Sequence, residues 1–249
     1  MDSARRTWAI SLVTVCAGAA TLLAGCAAEP VDAAPTPALR APQLPAPAAT
    51  ASATASSTPS ATRPAIRTVA VGDSLMSGFG LDRAEAWPVL LSARGSVTMT
   101  NLACAGMGFV VQGDCGTTYA GLVPAVAALQ PQLLIVESSS NDFWEDADEI
   151  RADTADTVTE LHDAAPDARI VGLSTIWNDE DDVPEDTAVT SDALRDAVDA
   201  VGGTFLDVGQ PLRGHPEWMQ EDDVHPTPRG QRAIAQTVMS ALQAAGIVP

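Results

Sequence analysis

Thr68-Val69-Ala70-Val71-Gly72-Asp73-Ser74-Leu75 is the stretch whose reading decides the fold. A short apolar run rich in valine stops at a glycine and two polar residues, as a buried strand does where it turns into a helix. The pattern recurs downstream. Val97 to Leu102, Leu133 to Val136, Ile170 to Leu173 and Thr204 to Val208 are further short apolar runs. Between them lie helical patterns near Arg83 to Ala93, Leu122 to Leu129, Ala152 to Ala164 and Asp192 to Val201. A final helix, from about Pro228 to Ala245, carries Ile234, Val238, Ala241 and Leu242 on one face. Pro228 falls in its first turn, where a missing N–H costs nothing. Five strands alternating with helices predict an α/β domain, a three-layer α/β/α sandwich around a five-stranded parallel sheet.

Working outward, the folded domain is expected over 66–249, with a different kind of sequence before it. Arg5 and Arg6 precede an uncharged run from Trp8 to Gly25, the layout of an export signal. Simple secretion and an uncleaved membrane helix are the alternatives, and a twin-arginine signal fits poorly. Either way the body of the chain is expected outside the cytoplasm. Leu23-Ala24-Gly25-Cys26 resembles a bacterial lipobox, which implies a signal peptide over 1–26 and lipidation of Cys26. Several acyl chains on one cysteine would tether the protein to the outer face of the cell membrane. Residues 27–65 read as a disordered linker, since the stretch from Pro30 to Pro64 is almost entirely Ala, Pro, Thr and Ser and holds 8 of the 18 prolines.

Charge narrows the function classes. All 13 basic residues are arginine, against 32 acidic residues, and the net charge is −19. Within 66–249 the balance is 29 acidic to 9 basic, or −20. Nucleic-acid binding needs clustered cations and is excluded. The carboxylates between Glu145 and Asp186 read as solvated faces, with a calcium site a minor alternative because no regular ligand spacing is present. Four cysteines give neither a disulfide-dense scaffold nor a zinc pattern, so no metal and no cofactor is expected.

Ligands of parallel sheets bind beyond the carboxyl ends of the strands. Four polar turns fall there. Gly72-Asp73-Ser74-Leu75 follows the first strand, and Asn101 to Gly106 follows the second. Ser139-Ser140-Asn141-Asp142 follows the third, and Asp222-Asp223-Val224-His225-Pro226 precedes the last helix. Together these turns resemble the blocks of the GDSL or SGNH hydrolase family: Gly72 to Leu75 its first, Gly106 its second, Asn141-Asp142 its third, Asp222 with His225 its fifth. The resemblance runs over the whole domain and implies a flavodoxin-like sandwich and serine esterase chemistry. One departure is Ser139, at a position where the family usually has glycine.

The chemistry accounts for these residue types. A hydroxyl is a poor nucleophile until a base removes its proton. The resemblance makes Ser74 the nucleophile, His225 the base and Asp222 the carboxylate holding the other ring nitrogen. The backbone N–H groups of Ser74 and Gly106 and the amide of Asn141 form the oxyanion hole. Alternatives stay open at three points: Ser74 or Asn141 as a helix cap, and Asp223 in place of Asp222. Asp73 reads as a turn or capping residue, His162 as a surface residue and His215 as structural or at the rim.

Cys104 and Cys115 flank the loop carrying Gly106 and are expected to pair in an oxidising compartment. Cys16 belongs to the signal. Trp144, Trp177 and Trp218 lie where they would wall a pocket, and equally where they would simply pack. The expected activity is hydrolysis of a small ester or acylated glycan by an exported monomer. The alternatives are an acyltransferase using the same site, or a wall-binding protein whose site Ser139 weakens. The ordinary Gly-x-Ser-x-Gly elbow of α/β-hydrolases is absent from the sequence.

Overall fold

The computed structural model describes residues 64–249. The export signal, Cys26 and nearly all of the linker lie outside the described residues. Five parallel strands run β1 (Ile66–Val71), β2 (Val97–Asn101), β3 (Leu133–Glu137), β4 (Arg169–Leu173) and β5 (Thr204–Leu206). Their order in the sheet is β2-β1-β3-β4-β5. Ala70 pairs with Ile135 and Val71 with Val136 in register across β1 and β3. The chain leaves β1 toward β2 on one side and returns to β3 on the other, so the topological switch lies between β1 and β3. That is where the crevice of a doubly wound sheet opens.

Helices cover both faces because the strands alternate their apolar side chains with a period of two. Ala70, Leu133, Ile135 and Leu173 meet Trp87 and Leu91 of α2 (Trp87–Ser92) and Ile234, Val238 and Leu242 of α6 (Pro228–Ala244). Val69, Val71, Leu134 and Val136 meet Val126 of α3 (Val123–Leu129). The same layer takes Val158 and Leu161 of α4 (Ala147–Ala164) and Leu194 and Val198 of α5 (Asp186–Ala200). The central strand β3 is buried along its whole length.

Several boundaries differ from the sequence reading. The single helix expected over Arg83 to Ala93 is a 3-10 turn, Arg83–Glu85, followed by α2. Pro88 lacks the N–H that a continuous helix needs there, and Ala86 is extended between the two pieces. Helix α4 begins five residues earlier than Ala152, because the Asp146 carboxylate accepts from the Asp148 and Glu149 N–H groups (2.9 and 3.2 Å). Helix α5 begins at Asp186 rather than Asp192, and the residues added there include buried Thr187, Thr190 and Ser191. Those six added residues carry no apolar periodicity, but Thr190 and Ser191 join Thr175 in a buried hydrogen-bond network. Strand β5 stops at Leu206, where Asp207 accepts from Gly209 N–H and turns the chain.

Candidate active site

Ser74 begins a single helical turn, α1 (Ser74–Ser77), directly after β1. The cap of this turn is Asp73, whose carboxylate accepts from Leu75 N–H at 2.8 Å. The capping alternative therefore belongs to Asp73, and the Ser74 hydroxyl is not used for it. A left-handed Gly78 ends the turn by donating its N–H to the Ser74 carbonyl.

His225 sits in a tight reversal between Trp218 and α6. Gln220 N–H donates to the His225 carbonyl (2.7 Å) and Thr227 N–H to the Trp218 carbonyl (2.7 Å). Within it the Asp222 carboxylate is 2.7 Å from His225 Nδ1 through one oxygen. Its other oxygen accepts from the backbone N–H groups of Val224 (3.1 Å) and His225 (2.9 Å). These donors, the His225 backbone N–H foremost, lower the Asp222 pKa to about 2. Asp223 is displaced from the imidazole, in left-handed backbone at φ 56°, and its carbonyl accepts from Asn178. Asp222, and not Asp223, is the carboxylate that meets the His225 ring. The three-residue spacing is made to work by this tight reversal.

Two glutamines seat the reversal against the Ser74 turn. Gln220 Nε2 donates to the Phe79 carbonyl at 2.8 Å, and the Phe79 ring lies 4.5 Å from the imidazole. Buried Gln231, in the first turn of α6, donates to the Leu75 carbonyl (2.9 Å) and accepts from Trp87 N–H (2.8 Å). The sequence reading assigned neither glutamine a role. Nothing in a local pattern marks a contact spanning about 150 residues.

The loop after β2 carries Gly106 at φ +74°, a conformation that disfavours any side chain. Cys104 and Cys115 form a disulfide across it, as expected. Cys104 N–H donates to the Gly72 carbonyl (3.2 Å), which ties this loop to the Ser74 turn. Among the described residues the N–H groups of Ser74 and Gly106 donate to no other protein group. Asn141 Nδ2 donates to the Met107 carbonyl at 3.0 Å, which fixes the amide and leaves its second hydrogen available.

Two acidic residues beneath the site were quoted in the sequence motifs without these contacts. Asp142 accepts from the N–H groups of Phe109 (2.7 Å), Val110 (3.1 Å) and Val111 (3.0 Å), cradling the Gly106 loop. A Cβ on Gly108 would lie 2.1 Å from that carboxylate, so only glycine fits. Burial pushes the Asp142 carboxyl up, against the pull of those three donors. Buried Ser139 bonds to Asp73 and accepts from Asn141 N–H at 3.0 Å. Its side chain thus holds Asn141 where a weakening of the site was one expectation, and Ser139 itself is the cap of the 3-10 turn Ser140–Asp142.

Glu137, at the carboxyl end of β3, was missed altogether. It is buried, both its oxygens lack partners, and burial drives its pKa well up. Trp144 is exposed, whereas Trp177 and Trp218 are half-buried, with Trp218 stacked on His215 at 3.5 Å. Among the described residues no group of three or more His, Cys, Asp or Glu side chains is placed to hold a metal ion.

The model of the GDSL-like Lipase/Acylhydrolase family matches residues 70–233, from inside β1 to within α6. No curated protein sequence matches the chain. Among solved structures it is similar to the psychrotrophic esterase EstA from Pseudoalteromonas sp., with 17% identity, a TM-score of 0.57, and 72% of this chain and 98% of that one covered. It is similar to a salicylyl-acyltransferase from a tetracycline biosynthetic pathway at 18% identity and a TM-score of 0.60, covering 75% of this chain and 56% of that one. A family two carbohydrate esterase from Cellvibrio japonicus aligns at 19% identity and a TM-score of 0.57, covering 73% of this chain and 61% of that one. The chain spans less than two thirds of the latter two. At these identities the likeness is one of fold. The family match covers most of the described domain and includes all four polar turns: the chain belongs to the GDSL-like lipase/acylhydrolase family and is a serine ester hydrolase of that type.

Proposed function

We propose that the protein is an exported, lipid-anchored esterase that cuts acetyl or short-chain acyl esters of cell-envelope glycans or lipids through an acyl-enzyme. Ser74 Oγ attacks the ester carbonyl while His225 takes its proton. The tetrahedral oxyanion is held by the N–H groups of Ser74 and Gly106 and by the Asn141 amide. Collapse breaks the bond to the alcohol, which leaves with the proton from His225. Water, deprotonated by the same imidazole, then attacks the acyl-enzyme and releases the acid and free Ser74. Asp222 stays ionised and holds Nδ1–H throughout.

The observation that carries this reading is the 2.7 Å Asp222–His225 pair, seated against the Ser74 turn by the Gln220–Phe79 hydrogen bond. The Arg5-Arg6 pair with its apolar run and the lipobox-like Leu23-Ala24-Gly25-Cys26 support the location. Short-chain chromogenic ester turnover by the purified chain, compared with S74A, tests it. Retained turnover in S74A would refute the assignment.

A second reading keeps the site and changes the acceptor, passing the acyl group from Ser74 to a sugar hydroxyl instead of to water. The likeness in fold to a salicylyl-acyltransferase favours it, as does the His215-Pro216-Glu217-Trp218 segment before the Asp-His turn. Product analysis with an acyl donor and a glycan acceptor separates hydrolysis from transfer.

A further inference from the structure

Trp144 is 83% exposed and sits in left-handed backbone at φ 66°, a conformation a tryptophan adopts only under constraint. It comes three residues after Asn141. Its ring meets the edge of buried Phe143 at 5.9 Å, and Phe143 is stacked on Trp177 at 5.4 Å. The next residue, Asn178, donates to the Asp223 carbonyl, inside the reversal that carries Asp222 and His225. An aromatic row, Trp144–Phe143–Trp177, therefore begins three residues after Asn141 and ends at the residue before Asn178, which is bonded to the Asp-His reversal. Core packing accounts for Phe143. It does not account for a strained, water-exposed Trp144, which contributes little to the interior.

The surroundings of the row restrict what it touches. Glu145, Asp146, Glu180, Asp181, Glu221 and Asp223, in the segments that carry it and the Asp-His reversal, are exposed. No arginine occurs in residues 138–150, 174–186 or 219–227. An anionic membrane or a phosphate- or uronate-bearing polymer is repelled by such a rim. Hydroxyl groups are suited to it, because carboxylates and amides accept hydrogen bonds from them. Two of those groups are already ordered: Glu180 accepts from Trp177 Nε1 (3.3 Å), and Asn178 Oδ1 accepts from Glu180 N–H (3.0 Å). Flat aromatic faces take the C–H face of a sugar ring, and carboxylates at their edge take its hydroxyls.

We propose that exposed Trp144, backed by Phe143 and Trp177, is the platform on which the ester-bearing sugar of an uncharged acylated glycan stacks. The proposal rests on the ester-hydrolase reading and narrows its substrate from glycans or lipids to neutral glycans.

Calorimetric binding to the full chain carrying S74A tests it, using partially O-acetylated xylo-oligosaccharide as the probe. O-acetylated oligogalacturonide and phosphatidylcholine vesicles serve as the anionic and lipid arms. The neutral oligosaccharide should bind most tightly. Adding W144A should weaken it on the order of tenfold, and W144F should recover most of that loss. Melting temperatures verify folding, and W144F keeps the test open if W144A melts early. Binding unchanged by W144A, or tighter binding of the anionic or lipid arm, overturns the platform. Turnover of para-nitrophenyl acetate by the unaltered chain separates the two readings. Trp144-dependent binding without turnover upholds the platform and overturns the esterase, whereas turnover without such binding overturns the platform alone.

Discussion

Ser139 Oγ lies 2.6 Å from Asp73 Oδ2, so the residue in the usual glycine position of the third motif bonds directly to the neighbour of the candidate nucleophile. The same oxygen is 3.1 Å from the Met107 carbonyl and accepts from Asn141 N–H. A hydroxyl has one hydrogen and here faces two acceptors. Every contact is satisfied when Asp73 is protonated, donating to Ser139 while Ser139 donates to Met107. Burial pushes the Asp73 carboxyl in that direction, against the hydrogen bonds from Ser139 and Leu75 N–H. One chain of hydrogen bonds thus joins the Ser74 turn to the Asn141 amide.

If Asp73 is neutral, its amide analogue should replace it. D73N is expected to keep kcat within a few-fold and to melt near the parent. S139A should leave Asn141 N–H and Asp73 short of a partner in a dry site, at a cost of about 1–3 kcal/mol. It should lower kcat more than it raises KM, because the oxyanion role proposed for Asn141 is exercised most strongly in the transition state. Steady-state kinetics and thermal melting check both variants.

Glu137 makes stability depend on pH in a defined sense. Its folded pKa is raised above the unfolded value near 4.5. The native state therefore binds more protons than the unfolded chain as pH climbs past 4.5, and stability falls with rising pH. E137Q removes that titration. It should change the melting temperature little at pH 5 and raise it at pH 8, which scanning calorimetry at the two pH values checks.

Asp222 should act on the tautomer of His225. With its pKa lowered to about 2, it remains ionised at every pH where the protein is assayed. The acid limb of the activity profile is then set elsewhere. D222N preserves the shape but presents an N–H to Nδ1, and kcat should fall on the order of 10⁴-fold with melting little changed. Hydroxylamine-independent ester hydrolysis measured by pH-stat gives the rate.

The disulfide closes a short loop of sequence separation 11 around Gly106. Replacing both cysteines by serine should cost about 3 kcal/mol in the chain-entropy account. Activity should fall as well, since Gly106 loses its tether. Mass analysis without reduction and melting with and without reductant check the bond and its contribution.

The sheet was legible because each strand is an apolar run interrupted by glycine and polar turns, and the Ser74 turn follows from the first of them. The same logic placed Asn141 and the Asp222–His225 turn at one edge. What stayed hidden has a common cause. Thr187, Thr190 and Ser191 are buried hydroxyls, so apolar periodicity started α5 nearly two turns late. Gln231 and Gln220 act across the chain, where no local pattern reports contact. Ser139 read as a substitution at a glycine site, and only the fold reveals that Asp73 stands opposite it. Glu137 sits at the end of an otherwise apolar strand, and its lack of partners depends on everything packed around it.

The central claim is that Ser74 is a nucleophile activated by His225. Fluorophosphonate labelling of the full chain, followed by peptide mapping, tests it most directly. Label on the peptide containing Ser74, lost in S74A and strongly slowed in H225A, is the predicted result. Labelling at another serine, or labelling at Ser74 that proceeds equally fast in H225A, would contradict it.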